Sequence, residues 1–280
     1  MTGPDTPGLR ELAPGVWVWL GAEGRAGEAN AGLVADDDGL TVVDTLMVRS
    51  QWEPFAAAVA EVAAALEHVV KRVVLTHAHI DHVGGTSAFR NAAVYATPVT
   101  SALLDQPLAL DAYRAFMPAF AAEFDDLAEV GTRPVSHLID DAASLTPRIE
   151  VLPAPGHTPG DLVVLVADAD VCFAGDLCTF GVTPLAFQGD PAQWAETLGA
   201  IAELAEVVVP GHGRVGGPDD VREVQAYLRH CVAGVIPSGP WDDWLERGHD
   251  PINLERAALL AAGDDEIPPS MRRAIGLPDN

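Results

Sequence analysis

Thr76-His77-Ala78-His79-Ile80-Asp81-His82 follows the apolar run Arg72-Val73-Val74-Leu75 and precedes Gly84-Gly85. Three of the nine histidines fall within residues 77 to 82, with an aspartate among them. Neutral imidazoles and a carboxylate are the ligands that borderline metals such as zinc prefer, and a loop at a strand end can turn several of them towards one point. Three imidazoles beside an aspartate would repel or lie idle without a cation, so metal binding is the reading of this loop.

The chain on either side supplies a frame for such a loop. Upstream, Gly15 to Leu20, Ala31 to Ala35 and Leu40 to Val43 read as antiparallel strands, with Asp36-Asp37-Asp38-Gly39 as a turn. An amphipathic helix (Pro54 to Glu67), the buried strand Arg72 to Leu75, a helix beginning near Gly84-Gly85 and a strand at Ala93 to Tyr95 then form a βαβ unit. Residues 98 to 130 read as mostly helical, broken at Pro118. Their stripe of Tyr113, Phe116, Phe120 and Phe124 is either core packing or the inner face of a helical lid. Short β-rich runs follow at Arg148 to Leu152, Leu162 to Val166, Val171 to Ala174 and Val207 to Val209, with a helix at Pro191 to Leu204. Two β-rich halves, each with helices, predict two sheets packed face to face with helices outside.

Three further polar residues stand at comparable strand ends, each beside glycine: His157 in Pro155-Gly156-His157-Thr158-Pro159-Gly160-Asp161, Asp176 in Ala174-Gly175-Asp176-Leu177, and His212 in Pro210-Gly211-His212-Gly213. Glycine lets the backbone approach a metal centre closely. Any one of these is an ordinary turn when read alone; four ligand-bearing strand ends in one chain point to a site.

With His-x-His-x-Asp-His at 77 to 82 and then His157, Asp176 and His212 in order, the chain resembles the metallo-β-lactamase superfamily, in its hydroxyacylglutathione hydrolase and lactonase-like branch. The resemblance covers nearly the whole chain, including Val42-Val43-Asp44-Thr45. It implies an α/β fold, a four-layer αββα sandwich over residues 1–280, with a helical insertion at about 98–130 and a C-terminal helical extension from about 218. It makes His77, His79 and His157 ligands of one metal ion, Asp81, His82 and His212 ligands of a second, and Asp176 the bridge. The two divalent ions implied, zinc by preference, would hold a hydroxide near neutral pH, with Asp81 as the catalytic carboxylate that orients it and moves the proton. The implied reaction is hydrolysis of a small ester, lactone or thioester. β-Lactam hydrolysis and a mononuclear iron oxidoreductase of the persulfide dioxygenase kind stand as alternatives on the same scaffold.

Asp176 argues against a dedicated β-lactamase, because many of those lack an aspartate there, and His79 argues against the diiron branch, which typically has glutamate. Cys178 lies two residues from Asp176, but strand alternation is expected to be lost in the following loop, so its thiol reads as packing. Asp44 either supports the metal loop or caps the next segment. His137, in Pro134-Val135-Ser136-His137, has no partner motif, and His68, His230 and His249 read as surface residues. Thr183-Pro184-Leu185-Ala186-Phe187, with Trp194 and the 113–124 stripe, is a candidate wall for an apolar pocket or ordinary core.

Composition narrows the partners. Acidic residues number 41 against 16 basic, a formal charge of -25, so the surface should repel phosphate backbones and anionic lipid. With 49% hydrophobic and 20% charged residues the chain is too apolar for disorder. The Ala-rich stretch Phe55 to Val70 is too short and too charged to span a bilayer. Three cysteines without CxxC spacing indicate neither a disulfide framework nor a cysteine zinc site, and the N-terminus lacks a basic stretch followed by an apolar one. The expectation is a cytoplasmic enzyme with a small-molecule substrate and no nucleic-acid or membrane partner.

Overall fold

The computed structural model describes residues 8–130 and 132–278. The first residues of the N-terminal segment, position 131 and the last two positions lie outside them. A seven-stranded sheet runs in the order β1 (Leu9–Ala13), β2 (Val16–Trp19), β3 (Ala31–Asp36), β4 (Gly39–Val43), β5 (Val70–Val74), β6 (Ala93–Ala96), β7 (His137–Leu138). Its first four strands are an antiparallel meander, and β4 to β7 are parallel neighbours. A five-stranded sheet contains β8 (Ala143–Ser144), β9 (Ile149–Pro153), β10 (Leu162–Val166), β11 (Val171–Phe180) and β12 (Val207–Gly213), in the order β12-β11-β10-β9-β8. There β11 and β12 are parallel and the other pairs antiparallel.

Strand alternation builds the layers. In β4, Val43 faces the second sheet while Leu40 and Val42 face α1 (Arg49–Ala65), where Phe55 and Val59 are buried. In β10, Leu162, Val164 and Val166 join the inter-sheet core, and Val163 turns outward. The outward face of the second sheet packs on α6 (Pro191–Ile201) and α7 (Pro218–Val232) through Trp194, Leu198, Val221 and Tyr227. Two sheets with a shared apolar core and helices on both outer faces result.

The remaining helices are α2 (Ile80–Val83), α3 (Pro98–Leu104), α4 (Leu110–Phe116), α5 (Phe124–Val130), α8 (Asp250–Ala261) and α9 (Pro269–Ala274). Among the described residues no helix is long and apolar enough to cross a membrane.

Several boundaries differ from the sequence reading. No helix begins at Gly84-Gly85; the single turn α2 closes at Gly84, and a 3₁₀ turn follows at Thr86–Phe89. Helix α1 begins five residues before Pro54, because the Gln51 side chain accepts from the Met47 and Val48 N–H groups and starts it earlier. Strand β11 runs on to Phe180, so Asp176 lies within a strand, as does His212 in β12. Parallel neighbours end at the same edge, so the C-terminal ends of β4, β5, β11 and β12 meet there. The sheets are stitched at that edge by Leu162 N–H to Thr76 O (2.8 Å) and Asn30 N–H to Gly211 O (2.7 Å).

Candidate metal centre

Seven side chains meet at that edge in two groups, His77, His79, His157 and Asp176 in one, Asp81, His82 and His212 in the other, with the candidate ligand atoms of each group within 4.8 Å of one another. These are the seven residues singled out in the sequence. Asp176 lies between the groups. Its Oδ2 is 3.5 Å from His157 Nε2 and 3.9 Å from His77 Nε2, and its Oδ1 is 3.0 Å from His82 Nε2 and 3.5 Å from His212 Nε2. One carboxylate oxygen thus faces each group.

Asp176 takes this direction because β11 is irregular there. Gly175 has φ +53°, and the register with β12 shifts on both sides of it. Val171 and Phe173 point between the sheets and Cys172 and Ala174 outward; past Gly175, Asp176 is displaced to the site while Leu177 and Cys178 pack outward with Trp194. Cys178 is fully buried and burial raises its thiol well above the ordinary range. It therefore packs, as read from the sequence, but through a bulge inside a strand rather than through the end of one. Across the pair, Gly211 leaves room for the carboxylate, since a Cβ there would collide with Asp176 Oδ1.

Asp44 orients two of the histidines. At the end of β4 it sits in the left-handed region (φ 57°). Its Oδ1 accepts the Thr76 N–H (2.8 Å) and its Oδ2 accepts both the Thr76 hydroxyl (2.7 Å) and His82 Nδ1–H (2.7 Å). With its proton on Asp44, Thr76 Oγ1 is left to accept from His77 Nδ1 (3.1 Å). Both imidazoles are fixed with Nε2 turned to the centre. Asp44 is thus seen supporting the 76–82 loop and not capping the next helix, since Val48 holds the N-cap position of α1. His79 is turned the other way: Nε2 meets Gln188 Oε1 (2.9 Å), its ring stacks on Phe187 (centroids 5.3 Å), and Nδ1 approaches His157 Nε2 (2.9 Å). Asp81 Oδ2 accepts the Gly27 N–H (3.2 Å) and lies 3.2 Å from His212 Nε2. The segment holding Gly27 is anchored by Asn30, whose side chain bonds Gly21 N–H, Pro210 O and Gly213 O.

The donor set fits divalent cations. His77 Nε2, His82 Nε2 and Asp176 Oδ1 are buried and have no hydrogen-bond partner among the described residues, an arrangement that costs free energy unless a cation satisfies it. Burial and the neighbouring imidazoles hold His77 well below its ordinary pKa, and burial takes His157 down to about 3. Although burial opposes ionisation of Asp81, the His212 contact brings it down to about 2. His82 is also pulled down by burial, but Asp176 and Asp44 outweigh this and hold it above the ordinary range. On the turn carrying His157, burial pushes Asp161 up to about 8 against the donated N–H and O–H of Thr158.

A model of the metallo-beta-lactamase superfamily matches residues 24–212. The chain belongs to that superfamily. Hydroxyacylglutathione hydrolase of Rhodobacter capsulatus is 32% identical over 165 residues, 59% of this chain and 55% of its own length. Linear primary-alkylsulfatase of a Pseudomonas strain is 24% identical over 286 residues, 89% of this chain and 52% of its own. The chain spans about half the length of the curated relatives it matches. The fold is that of superfamily members such as FIM-1 from Pseudomonas aeruginosa, solved in its mono-zinc form, with a TM-score of 0.58 at 22% identity over 80% of this chain and 95% of that one.

Beside the two groups opens a cavity of about 350 Å³. Tyr113, Phe116, Thr183, Leu185 and Phe187 line it, so part of the aromatic stripe faces the cavity, while Phe124 is buried in the core. Trp194 is not in its wall; it is buried behind His157, with Nε1–H donated to Leu177 O. His249, read from the sequence as a surface residue, is buried and lines the cavity, Nδ1–H donated to Thr183 O (3.0 Å). The signal for it was present: Gly248-His249 repeats the Gly-His pair of 156–157 and 211–212. His230 is exposed, and His137 stacks on Tyr95.

Proposed function

We propose that the chain is a dinuclear metal-dependent hydrolase that opens a small carboxylic ester, lactone or thioester. The observation that carries this reading is Asp176, one oxygen towards each ligand group. His77, His79 and His157 would hold one ion and Asp81, His82 and His212 the other, with Asp176 shared and zinc the metal best suited to the His/Asp set. Bound there, the ions supply Lewis acidity towards a carbonyl oxygen and lower the pKa of water.

The chain's own residues do the rest. Asp44, through Thr76 and His82, keeps two imidazoles aimed at the centre and unavailable for other hydrogen bonds. Asp81, held by Gly27 N–H and ionised, is placed to take a proton and pass it to the leaving group. Leu185 and Phe187 in the cavity wall offer an apolar surface for the acyl portion. Relatives named for a thioester and for a sulfate ester leave the bond class to direct measurement.

Elemental analysis of the purified chain, run beside a turnover screen of esters, thioesters, lactones and nitrocefin, tests metal and bond class together. Two zinc ions per chain and turnover of the carbonyl substrates above nitrocefin are expected. Nitrocefin as the best substrate would make it a β-lactamase; one iron per chain with oxygen uptake would make it an oxidoreductase.

A further inference from the structure

We propose that the cavity beside the ligand groups accepts a substrate whose parts away from the scissile bond are uncharged and apolar, and rejects one that carries a carboxylate there. This rests on the hydrolase reading and names its substrate class. The cavity is lined by His79, Asp81, Asp176 and His212 and, away from them, by Leu103, Ala112, Phe116, Ile267, Met271 and Ile275. All 16 basic residues of the chain are among the described ones, and none lines it.

The basic side chains of the adjoining C-terminal segment are committed elsewhere. Arg256 is buried, donating to Gly189 O and Asp265, and Arg247 donates to Trp241 O and Pro237 O and pairs with Asp250. The polar groups lining the cavity beyond the ligands are neutral: Gln106, Tyr113, Thr179, Thr183, Gln188 and His249. Burial lowers the pKa of His249, and its Nδ1–H is already given to Thr183 O. An anion drawn into this space loses its hydration and finds no counter-ion, while the formal charge of -25 opposes its approach. Positive charge at the ligand groups can pair an anion only next to the reacting bond, not at the far end of a chain lying along the apolar lining. A thiol leaving group bearing carboxylates, such as glutathione, is disfavoured on the same ground.

Matched probes test this on the metal-loaded chain. p-Nitrophenyl octanoate is compared with the mono-p-nitrophenyl ester of suberic acid, which has the same chain length and ends in a carboxylate. The octanoyl thioester of N-acetylcysteamine is compared with that of glutathione. In each pair the neutral member should have a kcat/KM at least about tenfold higher, and calorimetry should show octanamide binding more tightly than its ω-carboxylate analogue. Placing a cation on the rim, by Ile267→Arg or separately Leu103→Arg, should raise the relative turnover of the suberate ester about tenfold. Equal or better turnover of the anionic members, or equal binding of the two amides, overturns the proposal. Failure to hydrolyse any of the four, with the amides still discriminated, overturns the hydrolase reading and leaves the charge selection of the cavity standing.

Discussion

Asp44 and Asp176 are both carboxylates among histidines, but their surroundings assign them different work. Asp44 spends its oxygens on Thr76 and His82 and only orients, whereas Asp176 turns Oδ1, which has no hydrogen-bond partner among the described residues, to His82 and His212 and Oδ2 to His77 and His157. Asp44→Asn should therefore weaken metal retention about 10–100-fold in a competitive chelator titration, with the ligand set itself unchanged; retention equal to the parent would show that His77 and His82 are oriented by packing alone. Asp176→Asn removes the negative charge shared by the groups and should lower both metal content and activity by more than about tenfold. Cys178→Ser, at a buried packing position, should cost about 1 kcal/mol of stability and leave metal content as it was. The opposite pattern, metal lost in Cys178→Ser and kept in Asp176→Asn, would reverse the ligand assignment.

At the level of elements, the site depends on the pairing of β11 with β12 and on the segment between β2 and β3. The bulge at Gly175 sends Asp176 one way and Cys178 the other, and Gly211 on the neighbouring strand leaves the space the carboxylate occupies. Gly211→Ala should displace that carboxylate and lower metal occupancy at least severalfold, while the far-ultraviolet circular dichroism of the folded chain stays unchanged, because the strand pairing continues on either side. Full occupancy in that variant would mean that β12 can retreat without moving Asp176. The same elements show where local pattern fails as a guide. Leu162 to Val166 was legible to the residue, because an apolar run between turns needs no partner to be recognised. The continuation of β11 to Phe180 was not, since hydrogen bonds to β12, set by residues more than thirty positions away, carry it through Gly175.

Among the described residues, His77, His82, His157, Asp176 and His212 supply most of the buried side-chain atoms without a hydrogen-bond partner, so metal bound at this edge would link its affinity to folding. Complete removal of metal should abolish activity and lower the melting temperature; a ligand present at a thousand times its Kd stabilises by about 4 kcal/mol. An unchanged melting temperature in protein shown by elemental analysis to be metal-free would uncouple the two. The superfamily match ends at residue 212, yet His249, Ile267, Met271 and Ile275 from beyond it line the cavity. The segment after 218 therefore contributes to the cavity wall, while the seven residues that could hold metal all lie within the match.

The ligand set was within reach of the sequence because it is written in short stretches, each a few polar residues and glycines at the end of an apolar run, and short stretches do not depend on what they pack against. The layered order of sheets and helices followed from alternation for the same reason. What only the tertiary structure decided are the features made by contact between distant segments: Asp44 as the shared anchor of His77 and His82, the bulge that separates Asp176 from Cys178, Gly27 on Asp81, and His249 in the cavity wall rather than on the surface. Each depends on which residues a fold brings together across scores of positions, and periodicity along a chain carries no information about that.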